Sequence, residues 1–149
     1  MKISVITVCY NCEDTIIDTI QSVINQDYHN IEYIIIDGAS KDETLNIIKS
    51  YKSKIDILIS EKDHGIYDAM NKGIKASKGD IIGILHSDDT YTDSKVLSKI
   101  ASYFKENALT QGVYADLYYV KKEKIYRVWK TGYLSQKSIS KGQIIPHPT

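Results

Sequence analysis

Four short apolar runs recur along the first half of the chain: Ile3 to Val8, Ile31 to Ile36, Ile55 to Ile59 and Ile81 to Leu85. They are rich in β-branched residues and nearly continuous, without strict alternation. Strands of a parallel sheet covered on both faces read this way. Between them the apolar positions step at helical spacing. Ile16, Ile17, Ile20, Val23 and Ile24 form one stripe, with Asn11 placed to cap it. Leu45, Ile48 and Tyr51 form a second, behind Ser40-Lys41-Asp42-Glu43, which has the spacing of a capping box. Ile66, Met70 and Ile74 form a third, and Val96, Leu97, Ile100 and Phe104 a fourth. Strand and helix in alternation predict an open α/β sheet with right-handed crossovers and helices on both faces.

The pattern changes after Gln111. Val113 to Val120 and Ile125 to Lys130 alternate, joined by Lys121-Lys122-Glu123-Lys124, and predict an antiparallel hairpin. The expected organisation is therefore one domain over 1–149, with an α/β part at 1–110 and a hairpin part at 111–149. The tail from Thr131 to Thr149 has no periodicity and stops at Ile145-Pro146-His147-Pro148-Thr149, as expected of a fragment.

Composition narrows the class. A chain of 149 residues buries roughly 70% of its unfolded surface, enough for one core. Two cysteines exclude a disulfide scaffold. No apolar run approaches the ~20 residues of a membrane span. Met1-Lys2-Ile3-Ser4-Val5-Ile6 lacks the basic head and long apolar segment of a secretory leader, so a cytoplasmic protein is expected. Nineteen basic and nineteen acidic residues cancel, which removes bulk attraction to nucleic acid.

In open α/β sheets ligands bind beyond the carboxyl ends of the strands. Cys9-Tyr10-Asn11 follows the first run, Asp37-Gly38-Ala39-Ser40 the second, Ser60-Glu61-Lys62-Asp63-His64-Gly65 the third, and His86-Ser87-Asp88-Asp89 the fourth. Three of the four ends carry carboxylates. Acids gathered on one low-dielectric rim repel unless a cation or a donor-rich ligand sits among them. Hard oxygen donors suit Mg²⁺ or Mn²⁺ shared with substrate phosphates. A single aspartate after a strand is commonly only a cap or turn residue, so the weight rests on the set.

The segments Ile3–Asn11, Ile36–Thr44, Glu61–Gly73, Gly79-Asp80 and Leu85–Asp89 resemble, in order, the successive motifs of glycosyltransferase family 2. His147-Pro148-Thr149 resembles the start of a later His-containing motif. The resemblance implies the GT-A nucleotide-diphospho-sugar transferase fold and an inverting, metal-dependent transfer from a nucleotide sugar, with a UDP-sugar expected. It implies that Tyr10 packs on the base and that Thr7 lines the same pocket. Asp37 would accept from the base N–H, and Asp63 and Asn71 would border the nucleotide and diphosphate. Asp88 would face the ribose or the metal, and Asp89 would bind the metal directly. Lys62, Lys72 or His147 would add positive charge near the leaving group. The family's D-x-D motif stands here as Ser87-Asp88-Asp89.

In the family the general base lies on a motif later than Thr149, leaving Asp116 as the one candidate in this region. The expectation is donor binding with poor transfer. A glycan or lipid-linked acceptor of bacterial surface polysaccharide synthesis is implied, with the basic turn at Lys121-Lys122-Glu123-Lys124 available to a membrane face. An apolar patch left uncovered would pair chains into a homo-oligomer.

Other classes fit less well. Cys9-Tyr10-Asn11-Cys12 is a C-x-x-C after a strand, the layout of a thioredoxin-like redox site, but the acidic rim would then be unexplained. A phosphoacceptor domain would pair its acids after the first strand. Nucleotidyltransferases and dinucleotide-binding domains need glycines where Tyr10-Asn11-Cys12-Glu13 stands. Twelve tyrosines leave a non-catalytic recognition module as the remaining alternative.

Overall fold

A computed structural model describes residues 1–121, 124–132 and 140. The chain divides into two compact units, Met1–Asn107 and Ala108–Thr149.

The first unit holds a four-stranded parallel sheet: β1 (Ile3–Cys9), β2 (Ile31–Asp37), β3 (Ile57–Ser60) and β4 (Ile81–Ile84), in the order β3-β2-β1-β4. The helices are α1 (Ile16–Ile24), α2 (Thr44–Ser50), α3 (Ile66–Ala76) and α4 (Val96–Glu106), with a single 3₁₀ turn at Lys52–Lys54. Strands step outward from β1 through β2 to β3, then the chain returns to the other side of β1 for β4. That reversal puts the topological switch point between β1 and β4, the position beside which open α/β sheets bind ligands at their carboxyl ends.

Why these runs become strands follows from burial on both faces. β1 and β2 pair in parallel from Ile3↔Ile31 to Cys9↔Asp37, and every residue of β1 is buried. Ile3, Val5, Cys9, Tyr33 and Ile35 face Ile16, Ile20 and Val23 of α1, Ile48 of α2, and Leu97 and Ala101 of α4. Ile6, Val8, Ile34 and Ile36 face α3 through Ala69. Each fully buried isoleucine or valine contributes about 1.5–3 kcal/mol, so the two strands dominate the unit's stability.

α3 corrects the expected stripe. Ile66 and Ile74 are 46% and 41% exposed, while Met70 of the stripe packs at the edge of the core and the residues buried against the sheet are Ala69 and Gly73. The reason is close approach: a Cβ on Gly73 would collide with Ile6 Cγ2. Small residues win the inner face because the helix axis lies too near the sheet for large ones. β4 departs too, since Ile82 and Ile84 are 44% and 41% exposed where coverage on both faces is expected.

Both expected caps are corrected. The residue preceding α1 is Thr15, and Asn11 lies earlier with φ 49°, in the left-handed region. α2 begins after Glu43, and Ser40 points its hydroxyl back at Asp37. These polar side chains fasten loops to one another instead of capping helices.

At the amino end of the sheet, Glu32 is 4% exposed. It accepts from Lys2 Nζ at 2.9 Å, Ser4 Oγ at 2.6 Å and the Lys78 N–H at 2.7 Å. Burial alone would raise its pKa; these donors overrule it and hold the carboxyl at about 2.

The second unit contains β5 (Leu117–Lys121) and β6 (Lys124–Trp129), an antiparallel pair with an irregularity between Tyr119 and Val120. The strands are shorter than the alternation predicts, since 113–116 lie outside β5. Arg127 stacks over Tyr119 at 5.1 Å and Trp129 at 5.9 Å from the ring centroids. The turn centre at Lys122-Glu123 and the later candidate His147 lie outside the described residues. No helix among the described residues is long and apolar enough to cross a membrane.

Candidate functional site

The parallel register aligns the strand ends. Cys9 pairs with Asp37, Asp37 with Ser60, and the Leu85 N–H donates to the Ile6 carbonyl as β4 ends. The loops that follow all four strands therefore start from one edge of the sheet.

The loops after β1 and β2 are laced together. The Asn11 N–H donates to Ser40 Oγ at 2.9 Å, and the Lys41 N–H donates to Asn11 Oδ1 at 2.8 Å. The Cys12 N–H donates to Thr44 Oγ1 at 2.8 Å, and the Glu43 N–H to Glu13 Oε2 at 2.7 Å. Asn11 and Ala39 both hold positive φ, 49° and 62°, which costs of order 1–3 kcal/mol each outside glycine. The lacing fixes both loops in that conformation.

Tyr10 projects from this laced base and is 57% exposed. Its ring lies beside Gly38, where an added Cβ would stand 3.3 Å from Tyr10 Cδ2. The same Cβ would stand 2.7 Å from Asp63 Oδ2. Tyr10, Gly38 and Asp63, from the ends of three strands, thus converge on one spot. The other oxygen, Asp63 Oδ1, accepts the Gly65 N–H at 2.9 Å, and Gly65 holds φ 106° at the entry to α3. An aromatic face and a carboxylate side by side can take a planar, hydrogen-bonding ring.

Asp37 is fully buried under that spot. Its oxygens accept from the Ser40 hydroxyl and N–H and from Ser60 Oγ at 2.6 Å. Thr7 lies deeper still, fully buried, with its hydroxyl 3.2 Å from that of Tyr33. It is a core residue beneath the rim. Asn71 is exposed on α3. Lys62 is exposed, and its carbonyl accepts from Lys72 Nζ at 3.0 Å. Lys72 also pairs with Glu61 at 2.9 Å and Asp68 at 3.6 Å, and the Glu61 partner first holds its pKa above the usual lysine value.

After β4 the chain makes a tight turn, closed by the Asp89 N–H on the His86 carbonyl at 3.1 Å. Asp88 is exposed on the turn and Asp89 half-buried. Thr19 of α1 donates its hydroxyl to the Asp89 carbonyl at 2.8 Å, fixing the loop from below. Asp89 Oδ2 is buried and has no hydrogen-bond partner among the described residues. Burial first, and then the charge of Asp88, push the Asp89 carboxyl up to about 6. A buried carboxylate oxygen without a donor is an open position for a cation.

The donor set fits Mg²⁺ or Mn²⁺ held jointly with a ligand. No three His, Cys, Asp or Glu side chains cluster as a complete protein cage among the described residues. Hard cations of this kind commonly take one or two carboxylates and draw their other oxygens from phosphates.

Asp116 belongs to the second unit. Its Oδ1 accepts the Thr131 N–H at 2.8 Å and hydroxyl at 2.9 Å, and these bonds hold its carboxyl below the usual range. A carboxylate so engaged is a weak base.

Sequence reasoning missed three supporting residues: Ser40 and Ser60, which hold Asp37, and Thr19, which holds the Asp89 loop. Ser40 lay within a quoted motif and was expected to cap a helix. Thr19 reads from sequence only as a helix residue, and no local signal marks it.

Comparison with known proteins agrees with this architecture. The family model described as "Glycosyl transferase family 2" matches residues 4–148. The chain is 37% identical over 122 residues to the Escherichia coli UDP-Glc:alpha-D-GlcNAc-diphosphoundecaprenol beta-1,3-glucosyltransferase WfaP, covering 81% of this chain and 47% of that enzyme. It is 35% identical over 97 residues to the Bacillus subtilis putative teichuronic acid biosynthesis glycosyltransferase TuaG, covering 63% of this chain and 38% of that protein. The chain thus spans less than half the length of these relatives. Among solved structures, Staphylococcus aureus TarS 1–349 in complex with UDP-GlcNAc superposes with a TM-score of 0.66 at 27% identity, over 72% of this chain and 32% of that one. The mannosyltransferase PcManGT from Pyrobaculum calidifontis, in complex with GDP-Man and Mn²⁺, superposes at 0.65 and 20% identity, over 81% of this chain and 36% of that one, a likeness of fold alone.

Proposed function

The chain belongs to glycosyl transferase family 2 and has the α/β architecture of GT-A enzymes, and from that premise we propose that it binds the nucleotide-sugar donor, a UDP-sugar with Mn²⁺ or Mg²⁺. The enzyme it serves then transfers the sugar, with inversion, to a glycan or lipid-linked acceptor in bacterial surface polysaccharide synthesis. The observation that carries this reading is the buried Asp89 Oδ2, without a hydrogen bond among the described residues, on the same sheet edge that gathers Tyr10, Gly38 and Asp63.

In this reading the Tyr10 ring stacks on the base, worth about 1–3 kcal/mol. Asp63 accepts from an N–H of the base or a hydroxyl of the ribose. Asp37, buried and served by Ser40 and Ser60, sets the height of the Gly38 floor, a positioning part in place of the expected base contact. Asp88 faces the ribose or the metal, and Asp89 holds the metal. The cation, when bound, neutralises the diphosphate as it leaves. Asn71 and Lys72 border the diphosphate side from α3, where Glu61 and Asp68 steady the Lys72 ammonium. The missing Cβ at Gly38 leaves room for the Asp63 carboxylate to sit beside the Tyr10 ring. The described residues are assigned donor binding, and no acceptor base is assigned among them.

The donor class is supported by WfaP, whose name gives UDP-Glc, and by TarS, solved with UDP-GlcNAc. Calorimetric titration with UDP, GDP and UDP-sugars, with and without Mn²⁺, tests the reading. Metal-dependent UDP binding that disappears in Asp89→Ala supports it. Failure of all these nucleotides to bind in the presence of Mn²⁺ rejects it.

A further inference from the structure

The loop between β3 and α3, residues 61–65, has no strand or helix of its own and carries Asp63. Its ends are fixed by the backbone. The Glu61 N–H donates to the Asp37 carbonyl at 3.0 Å, which continues the β2–β3 pairing, and Gly65 turns into α3 at φ 106°. The middle of the loop depends on side chains of α3. Lys72 Nζ donates to the Lys62 carbonyl at 3.0 Å, and Asp68 Oδ2 accepts the His64 N–H at 3.0 Å. Both chain neighbours of Asp63 are thus fastened to the helix. Lys72 and Asp68 stand four residues apart on one face of α3, with their charged atoms 3.6 Å apart. Glu61 Oε1 completes the group at 2.9 Å from Lys72 Nζ.

We infer that Lys72 is a positioning residue: its ammonium clasps the 61–65 loop to α3 and so holds the Asp63 carboxylate against Gly38, beside the Tyr10 ring. The part this plays in donor binding rests on the nucleotide reading of the site, whereas the clasp rests on the distances alone.

The chemistry of a lysine suits the place. An ammonium has three N–H donors, and here a loop carbonyl, a loop carboxylate and a helix carboxylate surround it. The side chain is only 20% exposed. Its backbone is held as well, because the next residue is Gly73, whose close approach to Ile6 seats the helix on the sheet. A line of contacts therefore runs from Ile6 of β1 through α3 and Lys72 to the loop, and returns from Asp63 to Gly38 at the end of β2. Asp63 keeps one oxygen on the Gly65 N–H and the other against Gly38, so any shift of the loop moves the acceptor. A binding group fixed beforehand loses less freedom when the ligand arrives. Glu61 and Asp68 more than neutralise the Lys72 charge, which leaves it little to offer a diphosphate. Lys72 acts on the donor through Asp63 and the base, in place of the leaving-group charge that the resemblance implies.

Lys72→Met removes the ammonium and keeps the length of the stem. Exposed ion pairs add little to global stability, so the melting temperature should hold. Amide exchange at His64 and Gly65 should speed up by about tenfold, with exchange in β1 and β2 unchanged. Affinity for uridine, followed by NMR titration, and for UDP with Mn²⁺, followed by calorimetry, should fall by the same factor, about five- to tenfold. In an Asp63→Asn background Lys72→Met should add no further loss, because the group it positions is already disabled. Lys72→Arg, which keeps donors for the carbonyl and the carboxylates, should hold exchange within about twofold of the unsubstituted chain. Unchanged exchange at His64 and Gly65 in Lys72→Met overturns the clasp. A loss confined to UDP, with uridine binding intact, overturns the positioning role in favour of a direct phosphate contact. A loss that adds fully to that of Asp63→Asn, or a collapse of protection throughout the sheet, overturns it too. If the unsubstituted chain binds neither uridine nor UDP, the donor reading falls, while exchange at His64 and Gly65 still decides the clasp.

Discussion

The Asp63 carboxylate rests against the bare Cα of Gly38, so closely that a Cβ there would stand 2.7 Å from Asp63 Oδ2. Gly38 comes from the end of β2 and Asp63 from the loop after β3. Their contact fixes where an acid sits beside the exposed Tyr10 ring, so the floor of the proposed base site depends on an absent methyl group.

Gly38→Ala should therefore push Asp63 and Tyr10 apart. The expected result is UDP affinity reduced by about tenfold, with a change in unfolding free energy below about 1 kcal/mol. Calorimetry and denaturant unfolding on one preparation check both halves. Unchanged UDP affinity would mean that the three groups do not form the base site.

Tyr10→Ala should cost binding and spare folding. The side chain is 57% exposed, so its removal opens no cavity. Stacking of the expected strength predicts a loss of about 1–3 kcal/mol in UDP affinity. Tyr103→Ala, a change at a 51% exposed tyrosine of α4, serves as the control and should leave UDP binding intact.

Asp89 carries opposite consequences for stability and for metal. Its carboxyl titrates at about 6, above the ordinary 3.8, so the folded chain holds this proton more tightly than the unfolded chain. Its contribution to stability is present below about 4 and is lost as pH rises through 6. Asp89→Asn should accordingly raise the melting temperature at pH 8 in the presence of a chelator, and should have no such effect at pH 3.5. The same substitution should abolish the gain in UDP affinity that Mn²⁺ confers. In the unsubstituted chain that gain should fade as pH drops below about 6, because the proton competes for the metal's oxygen. A melting temperature lowered at pH 8 would show that the charge is already satisfied.

Glu32 predicts the reverse sign. Held at about 2 against an ordinary 4.5, it supplies stability above the unfolded value and loses it as pH falls through 2. Glu32→Gln should destabilise by roughly 1–3 kcal/mol at pH 7, from charge-assisted bonds lost to Lys2, Ser4 and Lys78. The penalty should shrink toward pH 2, and UDP affinity should not change, because Glu32 lies at the opposite edge of the sheet. Urea unfolding of both proteins across pH 2–7 measures this.

Much of the architecture was legible locally. Continuous β-branched runs can only be satisfied between two covered faces, so β1 and β2 and the parallel sheet follow from composition and order. The acids after three strands follow from position alone. What the sequence misassigned were groups whose partners lie far along the chain. Asn11 and Ser40 have cap-like chemistry, but Asn11 accepts the Lys41 N–H thirty residues on, and the Ser40 hydroxyl joins Asp37 and accepts the Asn11 N–H from the other loop. Ile66 and Ile74 have helical spacing, but Gly73 lets α3 approach so closely that the small face is buried instead.

The order of residues alone thus determined the element types, the sheet edge that bears the acids and the family likeness, because periodicity and motif order are properties of the chain itself. The tertiary structure decided which of those acids lack a donor and which are already served. Asp37 is served by serines, Asp63 is shared between Gly65 and an open face, and Asp89 keeps one buried oxygen unmatched among the described residues. That distinction depends on donors brought in from other strands and helices, and on water excluded by their packing, neither of which exists until the chain has folded.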